Sequence, residues 1–159
     1  MSSTLITTVT ATSAVCAGVA GGVYFAFSAI VMPALRALPA SQRVPAMQHI
    51  NSSAVRLPFM LVFFGGAAAS VALIIAELTS DAAAPSRTAG AGLALVAFGI
   101  TIVCNVPLNN TLAQIAPGAV DSDARWTAFD RGWSRANHVR ATAAIAATIT
   151  FLASLARSA

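Results

Sequence analysis

The sequence contains few charged residues and no lysine. All nine basic residues are arginines, only five residues are acidic, and the first charged residue along the chain is Arg36. Charged residues make up 9% of the 159 residues, whereas soluble domains carry about 25%. Because the arginines form no run and are not interleaved with aromatic residues, a nucleic-acid partner is not expected. This scarcity of charge favours a membrane protein.

Cysteines and cofactor motifs are also scarce. Cys16 and Cys104 each lie within an apolar stretch, where we expect small buried hydrophobic residues rather than a disulfide or a metal pair. The chain has no histidine-rich motif and no glycine-rich phosphate loop. We therefore predict no metal site and no nucleotide or flavin cofactor, and the sequence leaves the recruitment of a metal open.

Long apolar stretches are the main feature that is present. Apolar residues make up 57% of the chain, and the mean hydropathy is +0.78. A membrane span needs about 20 apolar residues, and four spans are predicted at about 4–35, 57–76, 88–106 and 137–156. The first span has no basic n-region, so we expect it to be a span rather than a cleaved leader. The predicted fold is an all-α, integral-membrane four-helix bundle that forms a single domain over residues 1–159.

Two helical segments are predicted outside the spans. Pro45 suits the first turn of a short helix that lies in loop one, after span one, and runs through about Val55. Asp121 and Asp123 supply N-cap chemistry for an amphipathic helix that continues into span four. We therefore expect both segments to lie at the same end of the bundle.

Prolines are predicted to interrupt two of the spans. Pro33 lacks an N–H and frees the carbonyl of Ala29, and Pro107 does the same for Val103. We expect a kink at Pro107. The segment after Pro107 is predicted to end at Pro117-Gly118.

A ladder of aromatic and polar residues begins ahead of span four. Steps of four, three, four and three place its members on one helix face, over roughly 21 Å at about 1.5 Å per residue. Polar groups are costly within a bilayer unless they have partners, so we predict that other segments supply these partners. The ladder consists of Trp126, Asp130, Trp133, Asn137 and Arg140.

Several other groups are expected to meet the ladder at one mouth of the bundle. The run Tyr24–Ser28 fits either an interfacial aromatic belt or the floor of a pocket for a flat ligand. Asn105 and Asn109 share a helix face and either satisfy the freed backbone, which we favour, or bind a ligand. The whole set is either a structural plug or a pocket for a planar, ionisable molecule. It comprises Tyr24, Phe27, Ser28, His49, Asn51, Asn105, Asn109, Trp126, Trp133, Asn137, His138 and Arg140.

The arginines are divided unevenly between the two ends of the predicted bundle. One end has only Arg87 and Arg157, and the other has Arg36, Arg43, Arg56, Arg125, Arg131, Arg135 and Arg140. By the positive-inside rule, the second end is cytoplasmic. We predict an inner-membrane or plasma-membrane protein with loops one and three in the cytoplasm and both termini outside.

Four motifs, in order, cover nearly the whole chain. They are Gly22-Val-Tyr-Phe-Ala-Phe-Ser with Met32-Pro-Ala-Leu35, Met47-Gln-His-Ile-Asn51, Asn105-Val-Pro-Leu-Asn109, and Trp133-Ser-Arg-Ala-Asn137-His-Val-Arg140. Together they resemble the anthrone oxygenase-like family, many of whose bacterial members have no known function. The resemblance implies a small four-span membrane protein that oxidises anthrones to anthraquinones.

The first functional hypothesis is an oxygenase that acts on an anthrone-like or other flat phenolic substrate with dioxygen. His49 or His138 removes a proton, and Arg140 stabilises the anion together with Asn137 or an indole N–H. The aromatic walls and the remaining polar groups of the mouth bind the substrate; the rings are sandwiched by Tyr24, Phe27, Trp126 and Trp133.

The alternative is a non-catalytic accessory subunit that binds a lipid or a quinone within a larger membrane complex. Gly18 and Gly22 form a small-residue surface on which another helix can pack closely. The expected partners are the lipid bilayer and a hydrophobic planar small molecule. A homo-oligomer and a larger membrane complex are both compatible with the sequence.

Overall fold

The computed structural model describes residues 2–80, 84–116 and 119–158, and most of them are helical. A five-residue π-helical turn joins α1 to α2 (Phe27–Val31) and another joins α5 to α6 (Thr101–Asn105). Helix makes up 91% of the structure, and no strand occurs in the described ranges, which confirms the all-α fold. The α-helices are α1 (Ser3–Ala26), α2 (Met32–Ala37), α3 (Ala40–Ala54), α4 (Leu57–Leu78), α5 (Pro85–Ile100), α6 (Val106–Ala113) and α7 (Ser122–Ser158).

Among the described residues, four helical stretches are long and apolar enough to cross a membrane, which identifies an integral membrane protein. They are Ser3–Ala37, Leu57–Leu78, Pro85–Ala113 and Ser122–Arg157. Only 17–22% of the most apolar part of the first three is buried inside the protein, against 39% for the last. Therefore α7 is the inner helix, and most of the surface of the others is left for lipid.

The bundle is arranged around α7, which packs against α1 and α5, while α4 packs on the other side of the same two helices. Small residues of α1 allow the close approach to α7. A Cβ atom at Gly21 would lie 3.3 Å from the Cβ of Ala144, and one at Gly18 would lie 3.5 Å from Thr148 Cγ2. A Cβ atom at Gly22 would meet nothing within 4 Å. The small-residue surface therefore receives a helix of the same chain, through Gly18 and Gly21.

A π-helical turn precedes each of the two prolines, and at Pro107 it stands where the kink was predicted. Each turn ends one residue before an X-Pro pair, Met32-Pro33 or Val106-Pro107. The N–H of Met32 donates to the carbonyl of Phe27, and the N–H of Val106 donates to that of Thr101, both across five residues. An α-helix absorbs the missing proline donor in this way without breaking. The break predicted at Pro117-Gly118 lies outside the described residues.

The helix of loop one begins earlier than predicted. Pro39 occupies the N-cap of α3, and its carbonyl accepts hydrogen bonds from the N–H groups of Gln42 and Arg43. Pro45 consequently lies within α3 rather than in its first turn. The earlier start adds a turn that places Arg43 beside α7.

Most of the largest buried side chains, including both tryptophans, gather at the end of the bundle where α3 and α6 lie. This cluster, which we call the cap, consists of Met32, Leu35, Val44, Met47, Leu112, Ile115, Trp126, Phe129 and Trp133. The adjoining section of the bundle is filled mainly by alanines around Tyr24, including Ala97, Ala141, Ala143 and Ala144. A bulky cap therefore adjoins a bundle interior made of small side chains.

Candidate functional site

The polar ladder of α7 is buried against the neighbouring helices, as the spacing predicted. Trp126 and Trp133 are 2% exposed, Asn137 is fully buried, and Arg140 is 6% exposed. The side chain of Asp130 is 18% exposed. Every member has a hydrogen-bond, ionic or ring partner from another element, and these partners fix the geometry of the site.

The end of the ladder nearest the start of α7 is held by two arginines. Arg36 of α2 donates two hydrogen bonds to the carboxylate of Asp130, both at 2.8 Å, and a third at 3.0 Å to Ser134 Oγ. Arg43 of α3 pairs with Asp123, and its guanidinium carbon lies 5.7 Å from the ring centre of Trp126. These contacts fasten α2 and α3 to α7.

Two asparagines on the α5–α6 segment hold Trp133, one at its indole nitrogen and one at its backbone carbonyl. Asn109 Oδ1 accepts a hydrogen bond from Trp133 Nε1 at 2.8 Å, and Asn105 Nδ2 donates to the Trp133 carbonyl at 3.3 Å. The ring of Phe27 packs 5.2 Å from that of Trp133, centre to centre. The sequence favours the backbone freed at Pro107 as the partner of these asparagines, and this prediction is wrong: both side chains bind a tryptophan on another helix.

Asn137 connects α7 to the first π-helical turn. Its Nδ2 donates at 2.8 Å to the carbonyl of Tyr24 and at 2.8 Å to Ser28 Oγ. With both amide protons engaged, the side-chain oxygen accepts from Arg140 Nε at 2.9 Å. Asn137 therefore sets the orientation of the Arg140 guanidinium.

Arg140 carries a charge in a largely buried environment without a carboxylate partner in the part of the chain that the structure describes. Its guanidinium carbon lies 4.2 Å from the ring centre of Tyr24 and 5.0 Å from that of Trp133. Besides the bond to Asn137, Nη1 donates to Thr101 Oγ1 at 3.3 Å. A guanidinium has five N–H donors and does not lose its proton in proteins, so donors remain for a further acceptor.

A cavity of about 370 Å³ lies beside Arg140. Small-molecule sites have volumes of about 300–1,000 Å³ and mostly apolar walls with a few polar groups, and this cavity has both properties. Five helices (α1, α3, α4, α6 and α7) and both π-helical turns contribute to it. Its lining residues are Val23, Tyr24, Phe27, Ile50, Asn51, Ser53, Ala54, Val55, Phe59, Met60, Thr101, Val106, Asn109, Trp133 and Arg140.

Half of the predicted site residues line this cavity: Tyr24, Phe27, Asn51, Asn109, Trp133 and Arg140. Three others lie behind the wall and hold these residues in place. Ser28 and Asn137 support Arg140, and Asn105 supports Trp133. Trp126 is nearer the start of α7, where it packs in the cap against Phe129.

The two histidines are not where the predicted base must be. His49 was expected to approach the Trp133–Arg140 face, but its side chain is exposed and does not line the cavity. His138 is also exposed, because it follows Asn137 on α7 and points about 100° away from the ladder. The described cavity lining contains no imidazole and no carboxylate.

The sequence interpretation missed several lining residues. Thr101 precedes Asn105 by four positions and shares its helix face, so this spacing was an available signal. Phe59 and Met60 had no such signal. They reach the cavity because α4 begins at Leu57, directly after α3 ends beside the site.

The charged and amide groups in the cavity wall are mainly donors. Asn109 uses its oxygen on Trp133, which leaves its Nδ2 group for a ligand, and Arg140 retains free N–H groups. No cluster of three or more His, Cys, Asp or Glu side chains in the described ranges lies close enough to hold a metal. The donor set suits a flat ligand that carries an anionic oxygen.

The anthrone oxygenase family model matches residues 59–150. The chain belongs to the anthrone oxygenase family. The matched range contains Asn105, Asn109, Trp133, Asn137 and Arg140, and it confirms the family resemblance seen in the sequence. Tyr24, Phe27 and Asn51 come from the part of the chain before that range. Neither a curated protein nor a solved structure matches the chain.

Proposed function

We propose that this member of the anthrone oxygenase family binds an anthrone-like or other flat phenolic molecule in the cavity and oxidises it with dioxygen. The observation that carries the proposal is the position of Arg140. Its buried charge has no carboxylate partner among the described residues and borders a cavity with aromatic walls. Buried charges are costly unless they are paired, so an anionic ligand is the complement of this site.

The proposed reaction converts an anthrone and one dioxygen into an anthraquinone and one water. The benzylic C–H next to the ketone system loses a proton, and the electron pair spreads onto the carbonyl oxygen as an enolate. The enolate carbon transfers electrons to dioxygen and forms a C–O bond, which gives a hydroperoxide after protonation. Loss of the second C–H proton, with cleavage of the O–O bond, releases water and leaves the second carbonyl.

Arg140 is proposed to act on the first of these steps. A guanidinium next to the substrate carbonyl oxygen stabilises the enolate more than the neutral ketone, so it makes the C–H more acidic. Asn137 fixes the fork of this guanidinium through the bond to Nε, so little reorganisation is needed as the charge develops. The described cavity wall contains no imidazole or carboxylate, and the proton is therefore proposed to pass to water at the cavity.

The aromatic side chains are proposed to orient the substrate. Tyr24, Phe27, Phe59 and Trp133 contribute ring surfaces to the wall, and aromatic pairs contribute about 0.5–1.5 kcal/mol each beyond the area that they bury. Trp133 is held by hydrogen bonds at its indole nitrogen and at its carbonyl. A rigid wall of this kind reduces the entropic cost of ordering side chains when the substrate binds.

Oxygen uptake by the purified protein in lipid nanodiscs tests the proposal. Wild type mixed with an anthrone should consume one dioxygen per anthraquinone formed, faster than the protein-free autoxidation. Arg140→Gln should reduce uptake to near the protein-free rate. Arg135→Gln is the matched control, because Arg135 is exposed on the same helix, and it should retain wild-type uptake.

Two outcomes contradict the proposed reaction. Wild-type uptake no faster than the protein-free rate removes the oxygenase assignment, and tight binding of a quinone without turnover then favours the accessory-subunit alternative. Full uptake by a folded Arg140→Gln variant removes Arg140 as the anion-stabilising residue. Circular dichroism and thermal unfolding of each variant in the same nanodiscs establish that it is folded.

A further inference from the structure

A second, smaller space lies in the alanine-rich section of the bundle. It has a volume of about 30 Å³ and is bounded by α1, α4, α5 and α7. Tyr24 contributes to the linings of both this void and the cavity. Most other wall residues are small, among them Ala20, Ala67, Ala94, Ala97 and Ala144. The side chain of Tyr24 therefore lies between the void and the proposed substrate cavity.

The void also contains an unpartnered polar group. Ser13 is 1% exposed, lines the void, and its Oγ has no hydrogen-bond partner in the described structure. A buried hydroxyl without a partner costs about 1–3 kcal/mol. A small ligand that enters the void and approaches Ser13 relieves this cost.

The lining distinguishes between candidate ligands. A buried water makes about three hydrogen bonds, whereas Ser13 and Tyr24 have the only oxygen-bearing side chains among the described wall residues. An apolar diatomic molecule needs no such set and can accept a weak hydrogen bond from one hydroxyl. We propose that the void is a binding site for dioxygen, next to the substrate cavity. This proposal rests on the proposed function, because dioxygen is the co-substrate of the proposed oxidation.

The position of the void suits a ligand that arrives from the lipid. Dioxygen is apolar and enriched in hydrocarbon, and three wall residues of α1 and α4, namely Cys16, Ala20 and Ala67, are half-buried. The Tyr24 ring forms a T-shaped contact with Phe59, with ring centres 6.5 Å apart, and also contacts the Arg140 guanidinium; both of these residues line the substrate cavity. Dioxygen bound here needs to pass only the Tyr24 ring to reach the enolate.

Dioxygen-dependent relaxation of alanine methyl groups tests the site without relying on activity. Protein labelled with ¹³C at alanine methyls is compared under dioxygen and under nitrogen. Paramagnetic relaxation should be larger at Ala97 and Ala144, which line the void, than at Ala91 and Ala147, which are equally buried elsewhere. Equal relaxation at all four methyls overturns the proposal, and a water cross-peak at Ala144 then assigns the void to water.

A kinetic comparison tests whether the site serves the reaction. Ala67→Val narrows the void, so the KM for dioxygen should rise several-fold while the KM for the anthrone stays constant. Ala68→Val is the matched control, since Ala68 is the exposed neighbour on α4, and it should change neither constant. An unchanged KM for dioxygen in folded Ala67→Val overturns the role of the void. Failure of the proposed function appears separately, as absent uptake in wild type, and the relaxation experiment then still decides the site.

Discussion

Asn137 and Arg140 are three residues apart on α7, and the amide oxygen of Asn137 accepts a hydrogen bond from Arg140 Nε at 2.9 Å. The amide can present its oxygen because its nitrogen donates to the Tyr24 carbonyl and to Ser28. The first π-helical turn thereby determines the orientation of a guanidinium on another helix. This chain of contacts links the proline-induced irregularity of span one to the proposed chemistry.

The substitution Asn137→Asp should disrupt the contacts that orient the Arg140 guanidinium. A carboxylate at this position forms an ion pair with the Arg140 guanidinium and so competes with an anionic ligand. It also has no N–H groups to donate to the Tyr24 carbonyl and to Ser28 Oγ. Because a hydrogen bond to a charged group contributes about 1.5–3 kcal/mol, the Kd for an anthrone should rise by about tenfold or more. Anaerobic titration of the folded variant measures it. Asn110→Asp, at an exposed asparagine of α6, should leave the Kd unchanged; equal Kd values for Asn137→Asp and wild type would contradict the account.

Trp133→Phe tests the hydrogen bond between the indole and Asn109. The substitution keeps a ring in the cavity wall but removes Nε1, so Asn109 Oδ1 loses its partner at 2.8 Å. The loss of this part-buried hydrogen bond should lower the free energy of unfolding by about 0.5–1.5 kcal/mol. Thermal unfolding in nanodiscs measures the loss, and adding Asn109→Leu should restore part of it. A Trp133→Phe variant as stable as wild type would show that the bond does not hold the wall.

The sequence was sufficient for the architecture because its strongest signals are long and periodic. The apolar stretches predicted the helical membrane fold, and the four-three spacing correctly placed Trp126 through Arg140 on one buried face. The same spacing could not show what Asn105 and Asn109 contact, since Trp133 lies on another helix. The histidines were chosen for their chemistry alone, and only the structure shows that both are exposed. The sequence also could not reveal that π-helical turns absorb the effects of Pro33 and Pro107.

Gly90→Ala and Gly92→Ala form a matched pair that tests the packing of α5 on α7. A Cβ at Gly90 would lie 2.8 Å from the ring of Phe151, whereas one at Gly92 would meet nothing within 4 Å. Overpacking costs about 1–3 kcal/mol, more than the roughly 0.5–1 kcal/mol that alanine gains over glycine within a helix. Gly90→Ala should therefore unfold at lower temperature than wild type, and Gly92→Ala should not. The reverse order would contradict the described packing.

We propose that the cap end of the bundle faces the cytoplasm, because seven of the nine arginines cluster toward that end. A reporter enzyme that is active only outside the cytoplasm should be active when fused after Ala159 and inactive when fused within loop one. The opposite pattern would reverse the orientation and would place the substrate cavity toward the outer side.

The central claim is that the cavity stabilises a substrate anion through Arg140. The absorption spectrum of an anthrone bound to the protein without dioxygen tests it most directly, because the neutral ketone and its enolate absorb at different wavelengths and no turnover occurs. At a pH where the free anthrone is neutral, wild type and Arg135→Gln should give the enolate spectrum, and Arg140→Gln should give the neutral spectrum. A neutral spectrum in wild type, or an enolate spectrum that persists in folded Arg140→Gln, would contradict the claim.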